Sequence, residues 1–87
     1  MDGRSLVAWN LRRIRVEREL SQERLAFDTG IDRSYVGGLE RKQENPTVDL
    51  LDRLAAHLAV PLADFFIEPE PGSEAPPPLP AGRRPAS

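Results

Sequence analysis

The stretch Ser21–Lys42, SQERLAFDTGIDRSYVGGLERK, leaves this chain few folds to choose from. Leu25 and Ala26 form one short apolar set, Ile31, Val36 and Leu39 form a second, and Gly30 stands between them. The spacing within each set puts it on one helical face, so the stretch reads as two short helices joined by a tight turn. Asp32-Arg33-Ser34 opens the second helix with short polar side chains and one arginine. A helix start of that kind suits a DNA groove. Helices this short are marginal by themselves, so the rest of the chain is expected to hold or pair the unit.

The flanks read as further helices. Ser5 is the expected cap of a first helix running to about Glu19, with Val7, Leu11 and Ile14 at helical spacing. Arg12, Arg13 and Arg18 fall off that stripe and are expected in solvent. Ser21 caps a second helix through about Asp28, and Asp32 caps a third over about Arg33–Arg41. Thr47 caps a fourth with Leu50, Leu51, Leu54, Ala55 and Leu58 on one face. Pro61 suits the first turn of a short fifth helix ending near Phe65-Phe66. With no alternating strand pattern, the expectation is an all-α bundle of five short helices, residues 1–66, around a central helix-turn-helix. Residues 67–87 hold seven of the nine prolines, including Pro76-Pro77-Pro78, and are expected to form a disordered or polyproline tail.

Size and composition narrow the classes. At 87 residues the chain is one small domain, and without cysteine it has neither a disulfide framework nor a thiolate metal site. No apolar run approaches the roughly 18 residues of a membrane span, and the start lacks a secretory pattern. The expected setting is the cytoplasm of a bacterial or phage-infected cell. His57, the one histidine, has no partner at metal-ligand spacing, and nothing resembles a nucleophile–base pair or a phosphate-cradling glycine loop. No enzyme activity, cofactor, metal or small-molecule ligand is expected. The net charge of −2 runs against a nucleic-acid partner, but it is unevenly spread. Residues 1–42 hold nine Arg and Lys against seven acids, a balance of +2 that leaves −4 for the rest. Local field and contacts decide phosphate binding, and the cations sit in the half that holds the central unit.

Several runs then point to one family: Leu11-Arg12-Arg13-Ile14-Arg15, Leu20-Ser21-Gln22-Glu23-Arg24-Leu25-Ala26, Gly30-Ile31, Ser34-Tyr35-Val36, Leu39-Glu40-Arg41, Asn45-Pro46-Thr47, and Leu54-Ala55 through Val60. Over residues 6–66 the chain resembles the Xre family, the Cro- and phage-repressor-type helix-turn-helix regulators. Within it, Asp-Arg-Ser-Tyr-Val-Gly-Gly-Leu-Glu-Arg is most similar to the controller proteins of restriction–modification systems. The resemblance implies a homodimer on a (pseudo)palindromic operator of double-stranded DNA, each recognition helix lying in one major groove.

It also assigns roles. Arg33, whose planar fork fits guanine O6 and N7, is the first base reader, with Ser34 and Tyr35 beside it. Tyr35 has core packing as its alternative. Gly38 stands where the family often reads a base: either the backbone approaches DNA there, or the protein makes fewer base contacts and relies on shape. Gln22, Arg12, Arg13, Arg41, Lys42 and Gln43 are implied backbone contacts. Arg15 and Glu40 form an implied ion pair tying the first helix to the third. Leu62, Phe65 and Phe66 are the expected dimer seam, with intramolecular core as the alternative. Phe27 is expected to pack over the edge of the helix-turn-helix core, with a sugar–phosphate contact as its alternative, and Lys42 replaces the glycine that usually ends the recognition helix. The competing function is an antitoxin-like or adaptor module that serves a protein partner and binds DNA only weakly.

Overall fold

The computed structural model describes residues 1–74. Four helices follow in order: α1 (Gly3–Glu17), α2 (Gln22–Thr29), α3 (Arg33–Glu40) and α4 (Val48–Leu58). A 3₁₀ turn, Leu62–Phe66, closes the fold, and no strand occurs among the described residues. The expected fifth helix is this 3₁₀ turn. Its Asp64 amide bonds the Pro61 carbonyl at 3.0 Å, and the three-residue repeat aligns Leu62 with Phe65 on the inner side.

Side-chain caps set the helix starts. Ser21, Asp32 and Thr47 each accept an amide of the following turn, from Arg24, Ser34 and Leu50 respectively. For α1 the cap is Asp2 rather than Ser5: its carboxylate accepts the Ser5 amide at 2.9 Å, which starts the helix three residues earlier than expected. The helix also ends earlier, at Glu17.

All four helices end alike. A residue at the C-cap (α2, α4) or just after it (α1, α3) turns left-handed, and the next amide reaches back to a carbonyl five residues earlier. The turning residues are Glu19 (φ 56°), Gly30 (φ 72°), Lys42 (φ 65°) and Ala59 (φ 58°). The returning bonds are Leu20 to Arg15, Ile31 to Ala26, Gln43 to Gly38 and Val60 to Ala55, at 2.8–3.1 Å. Only Gly30 adopts this conformation without steric cost.

One core joins every element: Val7, Leu11 and Ile14 of α1, Leu25 and Ala26 of α2, Val36 and Leu39 of α3, and Leu51, Leu54, Ala55 and Leu58 of α4. Phe65 fills it from the 3₁₀ turn with 0% of its surface exposed. Phe65 is therefore a core residue and not part of an external seam, whereas its neighbour Phe66 is 43% exposed and Leu62 is half-buried.

The C-terminal turn is also held by a polar clasp that sequence reasoning missed. Asn10 is fully buried, and its Nδ2 donates to the carbonyls of Leu6, Phe65 and Ile67 at 2.9–3.0 Å. Its Oδ1 accepts from Arg13 Nη2 at 3.0 Å. This clasp carries the fixed part of the chain at least to Ile67, one residue past the expected domain boundary. Beyond it, residues 68–74 form only a turn at Gly72, and the greater part of the expected tail, residues 75–87, lies outside the described residues.

Candidate nucleic-acid interface

Arg15 and Glu40 set the attitude of α3. Arg15 Nε and Nη2 donate to Glu40 Oε2 and Oε1 at 2.6 and 2.9 Å, and both side chains are nearly buried. Arg15 Nη1 also donates to the Leu20 carbonyl at 2.7 Å, and Gln22 Nε2 donates to Glu40 Oε1 at 3.1 Å. One planar guanidinium thus joins α1, the corner before α2 and the end of α3, with its charge compensated in place. Such a network orients the recognition helix without touching a ligand.

The outward start of α3 is polar and open. Arg33 and Ser34 are exposed, while Tyr35 is half-buried and packs against the core, leaving its hydroxyl end for any other contact. Ser34 donates both its hydroxyl and its amide to Asp32. Those bonds hold the Asp32 carboxyl below the usual aspartate range, the side-chain bond contributing most. With its proton committed to the cap, Ser34 is presented outward as an acceptor.

Beside Arg33 lies a polar cleft of about 310 Å³, lined by Arg12, Gln22, Glu23, Arg33 and the Arg15–Glu40 pair. Arg12 is half-buried rather than solvated, and its Nε is buried with no hydrogen-bond partner. Such a group costs free energy unless something binds it. Gln22, at the first turn of α2, shares this rim.

Arg13 does not. It bonds Asn10 and the Asp64 carbonyl, sits 5.9 Å above the Trp9 ring, and pairs with Glu17. One residue is 100° around the helix, so Arg13 serves the 3₁₀ turn and leaves the set of backbone contacts.

The second turn of α3 also differs from expectation. Gly38 is buried and not open to a base: a β-carbon on it would lie 2.8 Å from Glu44 Cγ and 2.9 Å from Glu44 Oε2. Gly37 is covered in the same way by the Arg41 guanidinium, 2.9 Å from such a β-carbon. Arg41, Lys42 and Gln43 are exposed just past the helix, with Arg41 Nε donating to Gln43 Oε1 at 3.1 Å. Lys42 keeps the exit geometry a glycine would give by taking the left-handed conformation itself.

Away from this face, Phe66 and Val48 border an open apolar hollow of about 520 Å³ with Val7, Pro46 and Leu51. Val48 is 64% exposed, a partner for Phe66 that the sequence reading missed because it falls off the α4 core stripe. Phe27, expected to pack, is 82% exposed on α2. His57 lies 3.4 Å from Asp28, and no metal-binding group of acids and histidines occurs among the described residues.

Comparison with known proteins decides the family. The helix-turn-helix family pattern matches residues 11–65, well over half of the chain. The chain belongs to the helix-turn-helix family of DNA-binding transcriptional regulators. These are regulators and not enzymes. A hypothetical transcription factor of Neisseria meningitidis serogroup B is 38% identical over 69 residues, covering 79% of this chain and 65% of that protein, so this chain spans about two thirds of that relative. The crystal structure of a hypothetical transcription factor from Neisseria covers 78% of each chain at a TM-score of 0.75 and 38% identity. The restriction-modification controller C.AhdI from Aeromonas hydrophila is 41% identical, with a TM-score of 0.69 over 72% of this chain and 96% of its own. The controller C.Esp1396I, solved as a tetramer on its natural 35 base-pair operator, is 33% identical, with a TM-score of 0.68 over 76% and 87%.

Proposed function

We propose that this chain is a homodimeric, sequence-specific regulator of the restriction–modification controller kind, working in the bacterial cytoplasm on a two-fold operator. The carrying observation is the Arg33 rim. An exposed arginine opens the recognition helix, beside a cleft in which Arg12 Nε is buried without a partner, on a scaffold fixed by Arg15 and Glu40. In this reading Arg33, Ser34 and Tyr35 enter the major groove, with Arg33 bidentate on a guanine. Arg12, Gln22 and the free amides of the first turn of α2 hold one phosphate, and Arg41, Lys42 and Gln43 hold another.

The apolar hollow supplies the pairing surface. Phe66 and Val48 are large apolar groups left exposed next to it, whereas Leu62 is half-buried against the core. A second copy buries them and sets two recognition helices about one helical turn of DNA apart.

The test uses the whole chain and a duplex selected from a randomised pool. The reading expects a dimer by sedimentation, binding that falls steeply with salt, and at least a thousandfold preference for the selected duplex over random DNA. Phe66→Glu should give folded monomers that bind the two-fold site weakly. A chain that stays dimeric with Phe66→Glu places the seam elsewhere, and weak, sequence-blind binding by the parent chain favours the adaptor reading.

A further inference from the structure

The middle of the recognition helix has no side chains of its own, and two side chains from beyond its end take their place. Arg33, Ser34, Gly37, Gly38 and Arg41 share the outward stripe of α3 by helical spacing, while Val36 and Leu39 face the core. On that stripe Ser34 is followed one turn later by Gly38. There the surface is the Glu44 side chain, whose Cγ and Oε2 come within 2.8 and 2.9 Å of where a β-carbon would stand. Glycine at 38 is what lets the loop fold this carboxylate onto the helix. Any other residue displaces it.

The placement is electrostatically odd. A carboxylate on a surface built to meet phosphates opposes non-specific binding, and among the described residues no cation forms a salt bridge with it. An acceptor-only group in the major groove has one good partner. Guanine shows two acceptors, thymine an acceptor and a methyl, adenine an acceptor beside its donor; cytosine alone shows a donor with no acceptor. We infer that Glu44 is a specificity-determining residue that accepts from a cytosine N4 amino group one step along the groove from the Arg33 contact. This rests on the groove-reading role of α3 proposed above. It gives the helix a second reading position despite its paired glycines.

The experiment is base-by-base preference of the full chain, measured on single-base variants of a selected duplex at fixed salt. Four proteins are compared: the parent, Glu44→Gln, Glu44→Ala and Gly38→Ala. The parent should prefer cytosine by about tenfold at one position of each half-site. Glu44→Gln should move that preference to adenine, whose donor–acceptor edge matches an amide. Glu44→Ala and Gly38→Ala should both flatten that position and leave the Arg33 position intact. Circular dichroism checks that Gly38→Ala keeps its helices, and Glu44→Ala carries the test if it does not. Unchanged preferences in the Glu44 variants overturn the inference, as does a Glu44→Ala protein that binds every duplex more tightly by the same factor. A parent chain with no preferred duplex overturns the groove-reading role itself, and this inference with it.

Discussion

Arg15 and Arg12 stand one turn apart on α1, line the same cleft, and have opposite surroundings. Arg15 is closed onto the protein, with both oxygens of Glu40 and the Leu20 carbonyl taking its protons. Arg12 is partly covered too, but its Nε has no partner. The same side chain is in one case a strut and in the other a socket. The contrast separates what shapes this protein from what it presents: a compensated network fixes α3 from behind, and the valences left open are those beside Arg33. Full satisfaction stabilises a fold, and incomplete satisfaction at a rim marks where a ligand completes it.

Breaking the strut should do the most damage. Glu40→Ala strands the buried Arg15 charge and should cost about 3–5 kcal/mol in urea unfolding, enough to threaten the fold of a domain this small. Arg12→Ala should behave in the opposite way. It leaves stability within about 0.5 kcal/mol, weakens selected and random duplexes alike, and lowers the slope of log affinity against log salt by about one. A loss of stability equal to that of Glu40→Ala would erase the distinction between the two arginines.

Smaller effects sharpen the same line between scaffold and surface. Ala59→Gly relieves a left-handed residue at the end of α4, and should raise the unfolding free energy in urea by about 0.5–1 kcal/mol with no change in DNA affinity. Lys42→Gly should stabilise similarly but weaken binding, because it also removes a cation from the exit of α3. The smallest effect is in acid. The Asp32 carboxyl is held down by Ser34, and the Asp2 carboxyl by the Ser5 amide, so both titrate below ordinary aspartate. Their contribution to stability is complete above the ordinary aspartate value and is lost as pH falls through the depressed ones. Carbon-detected titration should show both shifts, with the first turns of α1 and α3 loosening as these carboxyls protonate while those of α2 and α4, capped by the hydroxyls of Ser21 and Thr47, hold.

What could be read from the chain alone was local. Ser21, Asp32 and Thr47 bond amides two or three residues away, and Gly30 sets its own turn, so their roles survive without knowledge of the fold. The five-element all-α plan and the helix-turn-helix followed from the spacing of Leu25, Ile31, Val36 and Leu39. What could not be read depended on distant partners or on a single residue's rotation. Phe65 and Phe66 are chemically identical neighbours, and only the pitch of the 3₁₀ turn decides which one enters the core. Arg12 and Arg13 likewise differ by one step around α1, which sends one toward α3 and the other toward Trp9. Glu44 reaches Gly38 through a loop conformation that no periodicity encodes. Asn10 did leave a signal, a polar residue three after Val7 and four before Ile14 on the buried stripe, but its partners lie 55 and 57 residues away.

We propose that α3 reads DNA through Arg33 while the network behind it only holds it there. The most direct measurement is the ratio of selected-site to random-site affinity for the parent chain and for Arg33→Ala, at one salt concentration. Arg33 is exposed, so the variant should keep its unfolding midpoint. The ratio should fall at least tenfold through loss on the selected duplex, with random binding little changed. Equal losses on both duplexes, leaving the ratio where it was, would contradict the account.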